Sequence, residues 1–266
     1  MANNLSTIGF AFSDDDGFRA AMLGCAGKIR DTTPCSGGAY GIWKSGNGAE
    51  IWFHLGRADD GETEILGLTP YFEGESLVKL RITNAISDAA DNAYEGALQG
   101  WVVADGEAEG SYPVVFHAVD FAVHRDSAWP EIRNVRLTGF ARELQAFASD
   151  AAYYAARGAP DAESLKLAAH AFIPLGLFNA ANDNALAPTG SASTAVLTGT
   201  VLAHRDLTNE ETGGRFIWLL VQSLEAAFDV VADPAVISGE IVDGGVIEAS
   251  VMLFGRIVDG TPAWPG

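Results

Sequence analysis

Glu50, Trp52 and His54 stand two residues apart in the apolar run 49–57, and a strand there points all three to one side. A carboxylate, an imidazole and an indole on one face are the makings of a metal or ligand site. The spacing tells against a chelate built from this strand alone, because residues four apart along a strand are separated by roughly 13 Å. Metal binding by Glu50 and His54 therefore needs a ligand from elsewhere, since such sites draw on three or four convergent groups. The remaining histidines are dispersed. In the run 114–124, Asp120 and His124 share a face of the expected strand and His117 opposes them. His170 closes an expected helix, where a cation suits the dipole, and His204 belongs on the surface.

Lys79 and Arg81 alternate with Val78, Leu80 and Ile82. The pattern is a half-exposed strand. On an edge-like strand the two cations point together and suit a carboxylate or an acidic partner; ordinary protection of an exposed edge accounts for them equally. Among the tryptophans, Trp43, Trp52, Trp101, Trp129 and Trp218 are candidates for core, pocket or interface. Lys79, Arg81 and Trp52 are thus the expected ligand-binding residues. No Ser lies on a GxSxG elbow, and neither GxxxxGK[ST] nor GxGxxG is present to hold a phosphate. Cys25 and Cys35 form no CxxC, which removes zinc-ribbon and thioredoxin-type chemistry. No cofactor and no catalytic residue is expected from these patterns.

Sixteen Lys and Arg against thirty-five Asp and Glu leave a net charge of -19, spread through both halves of the chain. Nucleic acid is disfavoured as a partner, because phosphates are bound by clustered cations that displace counterions. Anionic membrane surfaces are disfavoured for the same reason. No apolar run reaches the roughly 18 residues of a membrane span, and the first residues lack a basic-then-apolar signal. The expectation is a cytoplasmic protein. Few Lys, more Arg and abundant Ala match a high-GC bacterial coding bias.

The elements that must position these groups follow from periodicity. In IGFAF, residues 8–12, large and small side chains alternate as on a strand. Ser13 and three Asp then cap a helix whose apolar stripe is Phe18, Met22, Cys25 and Ile29. Strands follow at 39–44, 49–57 and 65–72, the first two joined by the tight turn Ser45-Gly46-Asn47-Gly48. This βαβββ order over residues 8–72 resembles one module of the vicinal-oxygen-chelate family. The resemblance implies metal chelation by His and Glu on strands. Glu50 and His54 stand on the third strand, and IGFAF contributes neither residue type.

Further strands are expected at 78–83, 98–103, 114–124 and 135–147, and helices at 87–94, 151–157 and 162–170. A loop at 179–193 precedes strands at 195–207, 216–224, 228–231 and 246–258, with a short helix begun by Asp233-Pro234. Residues 194–258 resemble in layout part of an oligonucleotide/oligosaccharide-binding (OB) barrel, with 135–147 available as a fifth strand. Taken together, the sequence predicts an α+β protein of two mainly antiparallel β domains with few helices. These are 1–128, containing the βαβββ unit, and 129–266, a distorted OB-like barrel with a helical insertion at about 150–172. The expected role is a non-catalytic binding or assembly module for a protein or small ligand, with a homo-oligomer as one form of assembly. The alternatives are a vicinal-oxygen-chelate metalloenzyme using His54 and Glu50, and a barrel that binds single-stranded nucleic acid.

Overall fold

A computed structural model of the chain describes residues 3–58, 61–87, 92–104, 110–158, 167–179 and 193–258. Helix α1 (Asp15–Ala26) is capped by Asp14, whose side chain accepts the Gly17 N–H at 2.8 Å, with Asp15 and Asp16 in its first turn. Met22 and Cys25 are buried from the expected stripe, and Phe18 and Ile29 pack beside them. Both cysteines are free thiols. A four-stranded antiparallel meander follows: β1 (Asp31–Cys35), β2 (Gly38–Lys44), β3 (Ala49–Arg57) and β4 (Thr63–Phe72). The β2–β3 turn falls where expected, with Gly48 at φ +96° and the Ser45 N–H bonded to the Ala49 carbonyl.

Residues 8–12 are not a strand. Ser6–Ile8 form a 3-10 turn, and Gly9 is left-handed at φ +83°. The Ile8 and Gly9 carbonyls, which a ladder would use, accept instead from Asn209 Nδ2 (2.8 Å) and Thr212 Oγ1 (2.6 Å). A side chain on Gly9 would lie 2.6 Å from the Gly214 carbonyl oxygen, so the residue must be Gly. The strand that completes the meander is β1, in a stretch whose composition suggests a turn.

The second sheet takes in every later strand: β5 (Val78–Ser87), β6 (Gly96–Val103), β7 (Gly110–Ala118), β8 (Glu131–Phe147), β9 (Ala171–Pro174), β10 (Thr194–Thr208), β11 (Arg215–Ser223), β12 (Ala226–Ala232), β13 (Ile237–Ser238) and β14 (Val246–Val258). Its pairings close on themselves twice. β8, β14, β10, β11 and β12 form one circuit, closed by the parallel β12–β8 pair. β5, β6, β7, β14 and β8 form the other, closed by the parallel β7–β14 pair. The long strands β8 and β14 belong to both. Each circuit has a three-stranded meander, then a short helical turn (α2, Phe121–His124, or the 3-10 turn Pro234–Val236), then one of the shared strands. The sheet therefore crosses the boundary expected near residue 128.

One continuous apolar core runs through both circuits, from Val78, Leu80 and Phe116 to Leu197, Val221 and Val251. A second core, including Tyr40, Trp52, Phe140, Trp218 and Phe254, joins the meander and α1 to the outside of the sheet. The described residues are mostly β with few helices, in two sheets, consistent with the α+β expectation. The strand expected over 114–124 stops at Ala118 because the Ala122 N–H turns into α2 and bonds to Tyr40 Oη at 2.9 Å. Helix α3 (Asp150–Arg157) is the first part of the expected helical insertion, with Ser149 as its cap. The expected helix 162–170 and loop 179–193 fall largely outside the described residues, as does the middle of the helix expected at 87–94. No helix among the described residues is long and apolar enough to cross a membrane.

Candidate functional site

The register of the meander decides what shares a face. Tyr40 opposes His54, Ile42 opposes Trp52 and Lys44 opposes Glu50, while Glu50 opposes Tyr71 and Trp52 opposes Thr69. Paired residues point the same way, so Glu50, Trp52 and His54 share a face as the alternation predicts. The Trp52 indole N–H donates to Glu50 Oε2 at 2.7 Å, and Lys44 Nζ lies 3.1 Å from Glu50 Oε1. Trp52 is only 2 % exposed, so the expected ligand-binding indole is a buried support for Glu50 and offers no surface.

His54 occupies the other end of that face. Its ring stacks on Tyr94 at 5.1 Å and meets Tyr40 edge-on. Nε2 lies 3.1 Å from Thr69 Oγ1, and Nδ1 lies 3.8 Å from Glu95 Oε1 with no hydrogen-bond partner of its own. Burial pushes the imidazole down to about 4, so it is neutral at physiological pH. Glu50 is committed to Trp52 and Lys44, and His54 to Thr69. Among the described residues, no three His, Cys, Asp or Glu side chains gather to hold a metal ion. His124 and Asp120 do meet, at 3.1 Å, across one turn of α2 instead of along a strand.

The cluster with most chemistry surrounds Glu73, just beyond β4. Glu73 accepts a short hydrogen bond from Arg256 and lies 3.6 Å from both Arg136 and Lys44. Arg136 and Arg256 are direct neighbours on β8 and β14, so Glu73 also screens two like charges from one another. Burial favours the neutral form of Glu73, but Arg256, a hydrogen bond to Glu50, Lys44 and Arg136 together hold its carboxyl below the usual range. Glu50 goes the other way. Its burial raises it further than Lys44 and Trp52 can lower it. Glu50 is the member of the pair that keeps a proton to higher pH.

Asp229 is fully buried on β12, behind Glu75 and Trp218. It accepts from the Trp218 indole N–H at 2.7 Å and from the backbone N–H groups of Ser76 (2.8 Å) and Glu75 (3.0 Å). Burial raises its pKa, and these donors offset part of the rise. The Arg205 guanidinium covers the Trp218 ring at 4.5 Å and pairs with Glu75. Lys44, Glu50, Glu73, Arg205, Trp218 and the hairpin tip at 45–48 enclose a cleft of about 410 Å³. A neighbouring cleft of about 370 Å³ shares Lys44 and is lined by Lys28, Arg30, Glu210 and Glu211. The hairpin tip is held between them, with the Gly46 N–H on Glu210 Oε2 and Asn47 Nδ2 on the Thr208 carbonyl.

Lys79 and Arg81 are not among the residues that line this cleft. β5 is hydrogen-bonded on both sides, to β6 and β8, so the two cations stand on a sheet face and not on an edge. Sequence reasoning passes over Glu73, Arg136, Arg205, Asp229 and Arg256, because they converge only through the pairing of distant strands. Thr69 and Glu95 lack any motif. Comparison of the chain with family models, curated proteins and solved structures found no match.

Proposed function

We propose that the chain is a non-catalytic binding module whose small polar ligand sits in the cleft between the β2–β3 hairpin and β10–β11. The observation that carries this reading is the mutual commitment of the groups in the cleft. Glu50 is held by Trp52 and Lys44, Glu73 by two arginines and Lys44, and Glu75 by Arg205. Paired in this way, Glu73 and Glu75 present hydrogen-bonding surface above the buried Glu50, and general-base work would cost each of the three its partner. The volume of the cleft falls within the range of small-molecule sites, and the Arg205 guanidinium over the Trp218 ring presents a cation to it. The OB-type reading of the two circuits is supported by the three-stranded meander, the parallel closing pair and the helical turn before the long strand. The OB fold binds oligonucleotides and oligosaccharides, although fold alone never decides function.

A thermal-shift screen of amino acids, organic acids and sugar phosphates tests the reading. At least one compound should raise the Tm of the wild type, and Arg205→Ala should abolish the rise. A panel that leaves the wild type unmoved speaks against the cleft.

One observation favours a second reading, an acyl hydrolase. Glu95, His54 and Thr69 lie in series at 3.8 and 3.1 Å, the order of acid, base and nucleophile in a hydroxyl-based triad. Thr69 would attack an acyl carbon and pass its proton to His54, which would return it to the departing alcohol or amine as that bond breaks; water, deprotonated by His54, would then release the acid from Thr69, with Glu95 steadying the imidazolium in both steps. An acyl adduct by intact mass after treatment with an activated ester, lost in Thr69→Ala, would favour this reading. The metalloenzyme and single-strand nucleic-acid alternatives gain nothing from the cleft, because His54 does not line it beside Glu50 and its cations Lys44 and Arg205 are already paired with acids.

A further inference from the structure

The face that carries Lys79 and Arg81 is unusual for this molecule. Arg81 lies in register with Ile132 of β8 on one side and Trp101 of β6 on the other, and Trp101 is in register with Pro113 of β7. A single row, Ile132–Arg81–Trp101–Pro113, thus crosses four adjacent strands. At about 4.8 Å per strand it spans roughly 14 Å. Ile132 is 46 % exposed and Trp101 38 %, while Leu80, Ile82 and Val102, which alternate with the row, are buried. Lys79 stands one step along β5, opposite Asn134. In a chain with more than twice as many acids as bases, most described cations are tied to an acid, among them Lys44, Arg136, Arg205 and Arg256. Among the described residues neither Lys79 nor Arg81 enters an ion pair, and both accompany a half-exposed indole.

We propose that this face docks an acidic, extended peptide segment of a partner protein. Two unpaired cations supply the charge complement to Asp or Glu side chains, and Trp101 and Ile132 supply the apolar contact that such interfaces concentrate at their centre. The net charge of -19 does not defeat the contact, because it is screened over about 8 Å at physiological ionic strength while the cations meet the ligand directly. Nucleic acid fits the face less well. A phosphate backbone gains affinity from many neutralised phosphates, and this row offers two cations.

The probe is a labelled peptide in which Glu alternates with Leu and Phe, titrated into the full chain and followed by anisotropy. The expected result is saturable binding weakened at least about tenfold by the double variant Lys79→Glu/Arg81→Glu. Trp101→Ala should weaken it separately, with unfolding curves of both variants unchanged. Absence of saturable binding overturns the proposal. So does equal binding by the double variant, or tighter binding of a single-stranded oligonucleotide than of the peptide. Arg205→Ala, which alters the cleft, should leave this titration unmoved and keeps the two sites distinguishable.

Discussion

Acidification should destabilise the protein through His54, and the size of the effect follows from its surroundings. Tyr40, Tyr94 and Thr69 enclose the ring, and the nearest charge, Glu95, stops 3.8 Å from Nδ1. Lowering the imidazole from 6.5 to about 4 is worth about 3 kcal/mol, at roughly 1.4 kcal/mol per tenfold change in proton affinity. The folded-state pKa is depressed, so the unfolded chain takes up the proton first as pH falls. The stability is whole above 6.5, drains away between 6.5 and about 4, and changes no further below. His54→Gln provides the reference, because the amide can still reach Thr69 and does not titrate. Urea unfolding at about pH 7 and about pH 4 should show the wild type losing about 3 kcal/mol more than the variant across that interval. Carboxylate titration is common to both proteins and cancels in the difference. The imidazole proton resonances should titrate well below pH 6. A His54 that titrates at 6.5 or above would refute the reasoning. It would show that Glu95 outweighs burial and would move the account toward the acyl-transfer reading.

Asp229→Ala strands three buried donors, the Trp218 indole and two backbone N–H groups; thermal unfolding should show a loss of about 3 kcal/mol and a Tm lowered by roughly 5–10 °C. Glu73→Ala leaves Arg136 and Arg256 facing one another and should cost about 2 kcal/mol in urea unfolding, less at high salt as the repulsion is screened. Glu50 has a raised folded-state pKa, so its contribution is whole below the ordinary carboxylate range and lost as pH rises through the raised value. Glu50→Gln should therefore flatten that part of the stability–pH curve. Gly9→Ala places a side chain against the Gly214 carbonyl at positive φ and should cost about 2 kcal/mol in the same assay.

Much of the scaffold is legible in the sequence because its signals are local. Alternation marks β5, and the capping run of Ser13 and three Asp with the Met22–Cys25 stripe marks α1. The same alternation places Glu50, Trp52 and His54 on one face. It fails at IGFAF, where alternation is present but the carbonyls are claimed by Asn209 and Thr212, some two hundred residues away. It fails again at Asp31–Cys35, where turn-forming residues pair because β2 lies beside them. The cleft is less legible still. Glu73 meets Arg256 across 183 residues and Asp229 meets Ser76 across 153, distances set by the β8–β14 and β12–β8 registers. Nothing in the spacing of Lys79 and Arg81 reveals that β5 is an inner strand, because the same half-exposed pattern suits an edge and the outside of a closed sheet.

The mutual pairing of acids and bases in the cleft is best tested by heteronuclear NMR of the Trp218 indole N–H during titration with a compound that raises the Tm. The expected result is a saturable shift of that resonance, absent in Arg205→Ala, with the compound recovered chemically unchanged. Conversion of the compound, or shifts at Thr69 and His54 while Trp218 stays still, would contradict it.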